Sequence, residues 1–238
     1  MKKSLLLAFV ILVLVNPSPA QRSRARRGSV RATRAQVTSN NGCDLAFTGK
    51  SRKAVKLRPT TLNYSFNNGG RAISVNDWFG LVCTLDPDVP ATKRNIPGSK
   101  PMAMEKLKVK MKAYVLAFKR DPDNDLHVQI GDAAKPYKQT QVIVEIPPGA
   151  EYCEGRSNLM DLMRADGGQR LTGNYVFREP PLVEVTGYLF LDAFHIRRGS
   201  SDYCTDSGGR GIKNRLKASP VRGLWEIHPV TKLEKVSR

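Results

Sequence analysis

The chain has 238 residues, of which 39 are lysine or arginine and 21 are acidic, so its formal net charge is +18 at pH 7. This excess predicts attraction to polyanions such as nucleic acid, anionic glycans or lipid head groups, and it does not decide between them. The length allows one ordinary domain with extensions, and no segment after the first twenty residues is apolar enough to be a membrane span.

The first twenty residues have the pattern of a signal peptide. Lys2 and Lys3 precede an apolar run from Leu5 to Val15, which is too short to span a bilayer comfortably. Ser18 and Ala20 provide the small side chains of a cleavage site after Ala20. We therefore predict a signal peptide over 1–20 and a secreted or periplasmic protein. An uncleaved N-terminal anchor is the alternative.

Residues 21–40 carry many arginines and almost no apolar side chains. Such a segment cannot bury enough surface to offset its ordering entropy, so a disordered basic arm is predicted. Its charge favours either an electrostatic tether to a polyanion or a solvated linker. The arginines are Arg22, Arg24, Arg26, Arg27, Arg31 and Arg34.

The chain has four cysteines, which are Cys43, Cys83, Cys153 and Cys204. An even number in an exported chain predicts two disulfides, and the absence of a CxxC pair excludes a zinc ribbon or a thioredoxin-type site. Three pairings are open. We favour Cys43–Cys83 and Cys153–Cys204, because each would close one region. Residues 41–104 then form a small Cys-bounded extension and a linker, with a turn at Asn67–Gly70 and a helical turn at Asn76–Cys83.

From residue 105 the pattern changes to alternating strands, which predicts a domain over 105–238. Three strands are followed by one short helix and two further strands. This is the order of the OB-fold, a five-stranded, partly open barrel, so the predicted class is all-β with one short helix. A β-sandwich is the alternative. The predicted strands cover 107–117, 126–130, 141–146 and 182–192 and a segment beginning at Leu224, and the helix covers 157–165.

Four short motifs in this domain carry a resemblance. They are Asp125–Val128, Ile143–Pro147, Val185–Asp192 continued to His195, and Trp225–Val230. In this order they resemble the "DxH", "EIP", "VTGxxFxDxxH" and "EIHPV" motifs of a group of exported bacterial OB-like proteins of unassigned function. The resemblance spans about residues 107–234 of this chain. It implies export and a single compact domain, and it implies no activity.

All three histidines of the chain lie in these motifs. His127 is on the polar face of the second strand, and Glu226 and His228 are on the polar face of the last strand. His195 follows Asp192 by three residues. If these side chains converge, they could bind a divalent metal or carry out acid–base chemistry near neutral pH. The alternative is a structural role in closing the ends of the barrel.

The loop between the last two predicted strands is rich in basic residues. In OB-folds this loop and the one between the first two strands border the ligand groove, so basic side chains here are candidates for contacting a phosphate backbone. An ordinary solvated loop is the alternative. The candidate polyanion-binding residues are Arg197, Arg198, Arg210, Lys213, Arg215 and Lys217.

The loop between the first two strands contains Asp121, Asp123 and Asp125 at alternating positions. The spacing is that of the first half of a calcium-binding loop, but the glycine at position six and the bidentate glutamate at position twelve are missing. A polar β-turn is therefore predicted here.

Taken together, the sequence predicts an exported, basic, OB-like protein that binds a polyanion. It favours a binding protein over an enzyme without deciding between them, and it predicts no cofactor or metal. One alternative is a hydrolase or a metal-dependent, nuclease-like enzyme built on the histidine and carboxylate set. Asp132 and Glu145 have suitable chemistry for such an enzyme, but their spacing does not match the staphylococcal nuclease pattern. A further alternative is a structural or interaction protein of the cell envelope.

Overall fold

The computed structural model describes residues 41–85, 96, 98–135, 139–195, 203–204, 212 and 221–237, and the described residues belong to one compact unit. The helices are α1 (Lys53–Lys56), α2 (Val75–Leu85) and α3 (Cys153–Ala165). The strands are β1 (Lys108–Arg120), β2 (Leu126–Gly131), β3 (Gln141–Ile146), β4 (Tyr175–Val176), β5 (Leu182–Leu191) and β6 (Trp225–Lys235). The predicted signal peptide and basic arm lie outside the described residues. Within the described residues, no helix is both long and apolar enough to cross a membrane.

Five long strands close into a barrel. β1 pairs with β2 and with β5, β2 pairs with β3, and β5 pairs with β6, all antiparallel, while β3 and β6 are parallel. The short β4 pairs with the end of β1. Alternating residues of these strands fill the interior, among them Met111, Val128, Val144 and Trp225, which are fully buried. The predicted OB-like class is thus confirmed.

Helix α3 lies between β3 and β4, as the OB order requires, but it begins earlier than the sequence predicts. The predicted cap, Ser157, is inside the helix, and its hydroxyl accepts a hydrogen bond from Asn41 at 2.9 Å. Leu159, Met160 and Met163 are buried on the side that faces the barrel. The helix ends where predicted, with Gly167 in a left-handed conformation at φ 91°.

The favoured disulfide pairing is wrong. The bonds are Cys43–Cys153 and Cys83–Cys204, with Cα–Cα distances of 5.1 and 4.9 Å. Cys43 lies beside α3, whereas Cys83 lies on α2, so the cysteines nearest in sequence belong to separate parts of the structure. The bonds join residues 110 and 121 positions apart. They therefore attach the N-terminal extension to the barrel instead of closing each region on itself.

The extension covers part of the outer face of the barrel. Arg58 is 3% exposed, and its guanidinium donates hydrogen bonds to the main-chain oxygens of Glu105, Leu189 and His228. Alternation predicts strands with one solvated face, but every residue of β2 and β3 is buried. The polar residues on their outer faces are consequently covered by other parts of the chain, as Glu145 is contacted by Lys56 of the extension and Gln129 by Ile212 between β5 and β6. Each of them needs a hydrogen-bond or charge partner.

Candidate functional site

Three strands place polar side chains on one patch of the outer face. His127 on β2 and Glu145 on β3 are direct cross-strand partners. On β6, Trp225 and Ile227 enter the core, so Glu226 and His228 face outward. Between Ile227 and Val230 the β5–β6 register shifts, so β6 has one more residue than β5 there. Such a bulge re-aims a side chain, and here it includes His228.

Glu145 is the centre of the resulting cluster. Its Oε1 lies 3.0 Å from Nδ1 of His127, and its Oε2 lies 2.8 Å from Nδ1 of His228. Nδ1 of His127 is also 3.3 Å from Oδ2 of Asp121, and Nδ1 of His228 is 3.3 Å from Oε1 of Glu226. One carboxylate therefore bridges two imidazoles, and each imidazole has a second carboxylate beside the same nitrogen.

Lys56 of α1 inserts an ammonium group into this cluster from the extension. Its Nζ lies 3.5 Å from Asp123, 3.7 Å from Asp125 and 3.6 Å from Glu145. It also lies 5.7 Å from the ring centroid of Phe190, within the range of a cation–π contact. The extension is thus part of the site, because it supplies a cation to a group of carboxylates held by the barrel.

The charges of the cluster shift one another's pKa values. Burial alone would raise the pKa of Glu145, but Lys56 and the two histidines hold it well below its usual range. Burial would lower the pKa of His127, and its hydrogen bonds with Asp121 and Glu145 raise it instead. Burial raises the pKa of Asp125 to about 7, because this carboxyl is 0% exposed and close to other acids. The carboxylates thus compete for a limited number of cations.

A cavity of about 560 Å³ opens beside the cluster. One part of its wall belongs to the cluster and consists of Lys56, Asp121, His127 and Glu145. Another part belongs to the start of the β5–β6 loop and contains Asp192 and His195. Nδ1 of His195 is hydrogen-bonded to Asp192. The cavity therefore lies between the β1–β2 loop and the β5–β6 loop, which is the ligand position of OB-folds. Its remaining lining residues are Gly49, Lys50, Ser51, Lys119, Pro122, Asp123 and Phe194.

The five residues predicted as a histidine and carboxylate set divide into two groups. His127, Glu226 and His228 meet in the cluster, while Asp192 and His195 pair with each other and line the same cavity. Sequence patterns assign no role to Lys56, because a lysine in a four-residue helix has no distinguishing pattern. They relate Asp121 to a calcium loop, Asp125 to that loop and to the "DxH" motif, and Glu145 to the "EIP" motif and a nuclease pattern. The loop itself is the predicted polar turn, closed by Asp121 N–H donating to the Asp125 carbonyl at 2.9 Å.

The candidate polyanion-binding residues Arg197, Arg198, Arg210, Lys213, Arg215 and Lys217 lie outside the described residues. Comparison with family models, with curated proteins and with solved structures found no significant match. The polar residues of the four sequence motifs nevertheless share one location: those of the "DxH", "EIP" and "EIHPV" motifs form the cluster, and the Asp192–His195 pair borders its cavity.

Proposed function

We propose that the cavity is the active site of a hydrolase. The observation that carries this proposal is that two imidazoles with carboxylate partners, His127 and His195, line one cavity at the OB ligand position. A carboxylate at Nδ1 fixes the orientation of an imidazole. At the partly exposed His195 it leaves Nε2 for acid–base chemistry, whereas Nε2 of His127 is buried. The geometry therefore favours the enzyme alternative over a binding protein without catalytic groups.

The two parts of the cavity have different roles in the proposed reaction. A water molecule held at the cluster attacks the substrate and loses its proton to a carboxylate there. The bond between the electrophilic atom and the leaving oxygen breaks, and His195 gives a proton to that oxygen through Nε2. The side chain of His195 is 42% exposed, which suits a group that must meet the substrate at the cavity mouth.

A neighbouring aromatic residue supports a ligand at this mouth. Phe194 is 64% exposed, it lines the cavity, and its ring centroid lies 5.4 Å from that of His195. A large apolar side chain exposed beside polar reactive groups gives a bound substrate an apolar contact, and the convergence of such groups in a cavity is typical of small-molecule sites.

The experiment is a hydrolysis assay with four nitrophenyl substrates: a phosphodiester, a phosphomonoester, an acetate ester and a glycoside. The buffer contains Mg²⁺, Mn²⁺ and Zn²⁺, so that a requirement for an ion does not hide activity. We expect release of nitrophenolate from at least one substrate. Loss of an acid–base group lowers such rates by about 10² to 10⁴-fold, so His195→Ala and Glu145→Gln should each show a decrease of that order.

Glu184→Gln is the matched control, because Glu184 pairs with Lys110 on the barrel surface away from the cavity. This variant should retain the wild-type rate. Absence of turnover with all four substrates, or equal rates in the wild type, His195→Ala and Glu145→Gln, would contradict the proposal.

Polyanion binding by an exported protein is a second candidate function. It is supported by the net charge of +18 and by the six arginines between residues 22 and 34. Export is supported by the apolar run that starts the chain and by the two disulfides, which form in oxidising compartments. The two functions are compatible, since a basic arm would concentrate an anionic polymer near the cavity.

A further inference from the structure

We propose that Asp121, His127 and Glu145 bind one divalent transition-metal ion at the wall of the cavity. Only the role of the ion rests on the proposed function: in a hydrolase, a bound ion would activate the attacking water. Binding of the ion is a separate property and can be measured without a substrate.

The spacing of the ligand atoms is the first argument. Nδ1 of His127 lies 3.0 Å from Oε1 of Glu145 and 3.3 Å from Oδ2 of Asp121, and ligand atoms of the three residues all lie within 4.8 Å of one another. Ligands about 2.1 Å from a metal and at right or tetrahedral angles are separated by about 3.0–3.4 Å. The three side chains could therefore become metal ligands with small movements.

The balance of charge is the second argument. The proposed ligands comprise two carboxylates, those of Asp121 and Glu145, which both lie beside the same nitrogen of His127. Two carboxylates neutralise one divalent ion, so binding of the ion would leave no unbalanced charge at these three ligands.

The ligand set also indicates which ion fits. One imidazole nitrogen and two carboxylate oxygens suit Zn²⁺ or Mn²⁺. Ca²⁺ requires six to eight oxygen ligands, and the imidazole at this position does not provide one. The Asp121–Asp125 loop therefore contributes to the site through Asp121 and not as a calcium loop.

The test is isothermal titration of the metal-stripped full chain with ZnCl₂ and MnCl₂. We expect one ion per chain and at least a tenfold loss of affinity in Glu145→Gln and His127→Ala, because removal of even a supporting residue costs about 10 to 100-fold. Lys56→Gln should bind the ion about tenfold more tightly than the wild type, because a like charge beside the site is removed. A gain of affinity cannot result from misfolding.

His195→Ala is the matched imidazole control and should bind the ion as the wild type does, although the proposed hydrolase requires His195. This separates the two proposals: abolished hydrolysis with retained binding supports both, and retained binding without any hydrolysis in the wild type overturns only the hydrolase. Absence of saturable binding in the wild type overturns the metal site. So does unchanged affinity in Glu145→Gln or in Lys56→Gln, or a loss in His195→Ala equal to that in His127→Ala.

Discussion

Glu105 anchors the extension to the barrel through a fully buried carboxylate. It is 0% exposed and accepts hydrogen bonds from both terminal nitrogens of Arg52, at 2.5 and 2.6 Å. The main-chain N–H groups of Met102 and Leu191 donate two more, at 2.8 and 3.0 Å. The hydrogen bonds of this carboxylate therefore connect the extension to β5, next to the candidate site.

We expect Glu105→Gln to destabilise the protein by about 3–5 kcal/mol, because it leaves the Arg52 guanidinium buried without its charge partner. Urea denaturation measures this loss. The double variant with Arg52→Met should recover part of the stability, since it no longer buries a guanidinium without its charge partner. Additive losses in the double variant would contradict the assigned pairing.

At the scale of elements, the end of α3 is joined to the strand that follows it by one side chain. Asp166 accepts hydrogen bonds from the Tyr175 hydroxyl at 2.7 Å and from the N–H groups of Arg178 and Glu179 at 2.9 and 3.0 Å. Burial would raise the pKa of Asp166, but these hydrogen bonds hold it below its usual range. The carboxylate is therefore preferred in its ionised form in the folded chain.

A carboxyl whose pKa is lower in the folded chain than in the unfolded chain stabilises the fold at pH values above its unfolded-state pKa. This stabilisation is lost as the pH falls through its folded-state pKa. Stability from Asp166 should accordingly be complete above about pH 5 and decline as the pH falls below about 4. We expect Asp166→Asn to cost about 1–2 kcal/mol at pH 7, because the group is only partly shielded from solvent.

Thermal denaturation between about pH 3 and pH 7 tests this expectation, and the difference between wild type and variant should shrink towards the acidic end. Asp161→Asn is the matched control, since Asp161 is an exposed acid on the same helix that pairs with Arg164. A pH-independent difference for Asp166→Asn would exclude the ionised carboxylate as its cause.

Another element, the short helix α1, explains why the site depends on the extension. The barrel strands and the β1–β2 loop provide the imidazoles and the carboxylates, and α1 provides the ammonium group of Lys56. The Cys43–Cys153 bond joins this segment to α3, and the Arg52–Glu105 pair holds it close to β5. The extension is thus a component of the site and not only a tether for the basic arm.

At the scale of the whole molecule, the +18 charge and the acidic cluster are separate features. Basic residues are numerous in the arm, whereas carboxylates exceed lysines at the cluster. A polymer attracted by the overall charge would therefore be held mainly by residues outside the cavity. Because the two features are in different parts of the chain, we predict that mutations can remove polyanion binding without changing the chemistry of the cavity, and the reverse.

We expect a chain that lacks residues 1–20 to bind heparin and duplex DNA with an affinity that falls steeply with salt. Changing the six arginines of the arm to glutamine should reduce the slope of log K against log[NaCl] by about 0.9 for each DNA phosphate that the arm no longer neutralises. The matched control changes six lysines of the barrel region, which are Lys106, Lys108, Lys110, Lys112, Lys232 and Lys235. Equal decreases in both variants would indicate a general charge effect and contradict a specific role of the arm.

Patterns along the chain are enough to specify the barrel. Alternation of apolar and polar residues predicts β2, β3 and β5 nearly to the residue, because a strand with one face in the core must repeat every two positions. The order of strands with one helix then selects the OB class. The predicted start of α3 is wrong because Ser157 resembles a cap by residue type, whereas only the position of Asn41 shows that its hydroxyl is used elsewhere.

The disulfides and the site, in contrast, depend on the tertiary fold. Cys43 bonds to Cys153 and Cys83 to Cys204 because α3 and α2 lie beside distant parts of the chain, which spacing along the sequence cannot reveal. Local patterns identify the histidines as unusual, but the junction of His127 and His228 at Glu145, and the entry of Lys56 between the carboxylates, require β2, β3, β6 and α1 to meet in space. Alternation is a local property of the chain, whereas partners across strands are set by the closure of the barrel and by the segment that covers it.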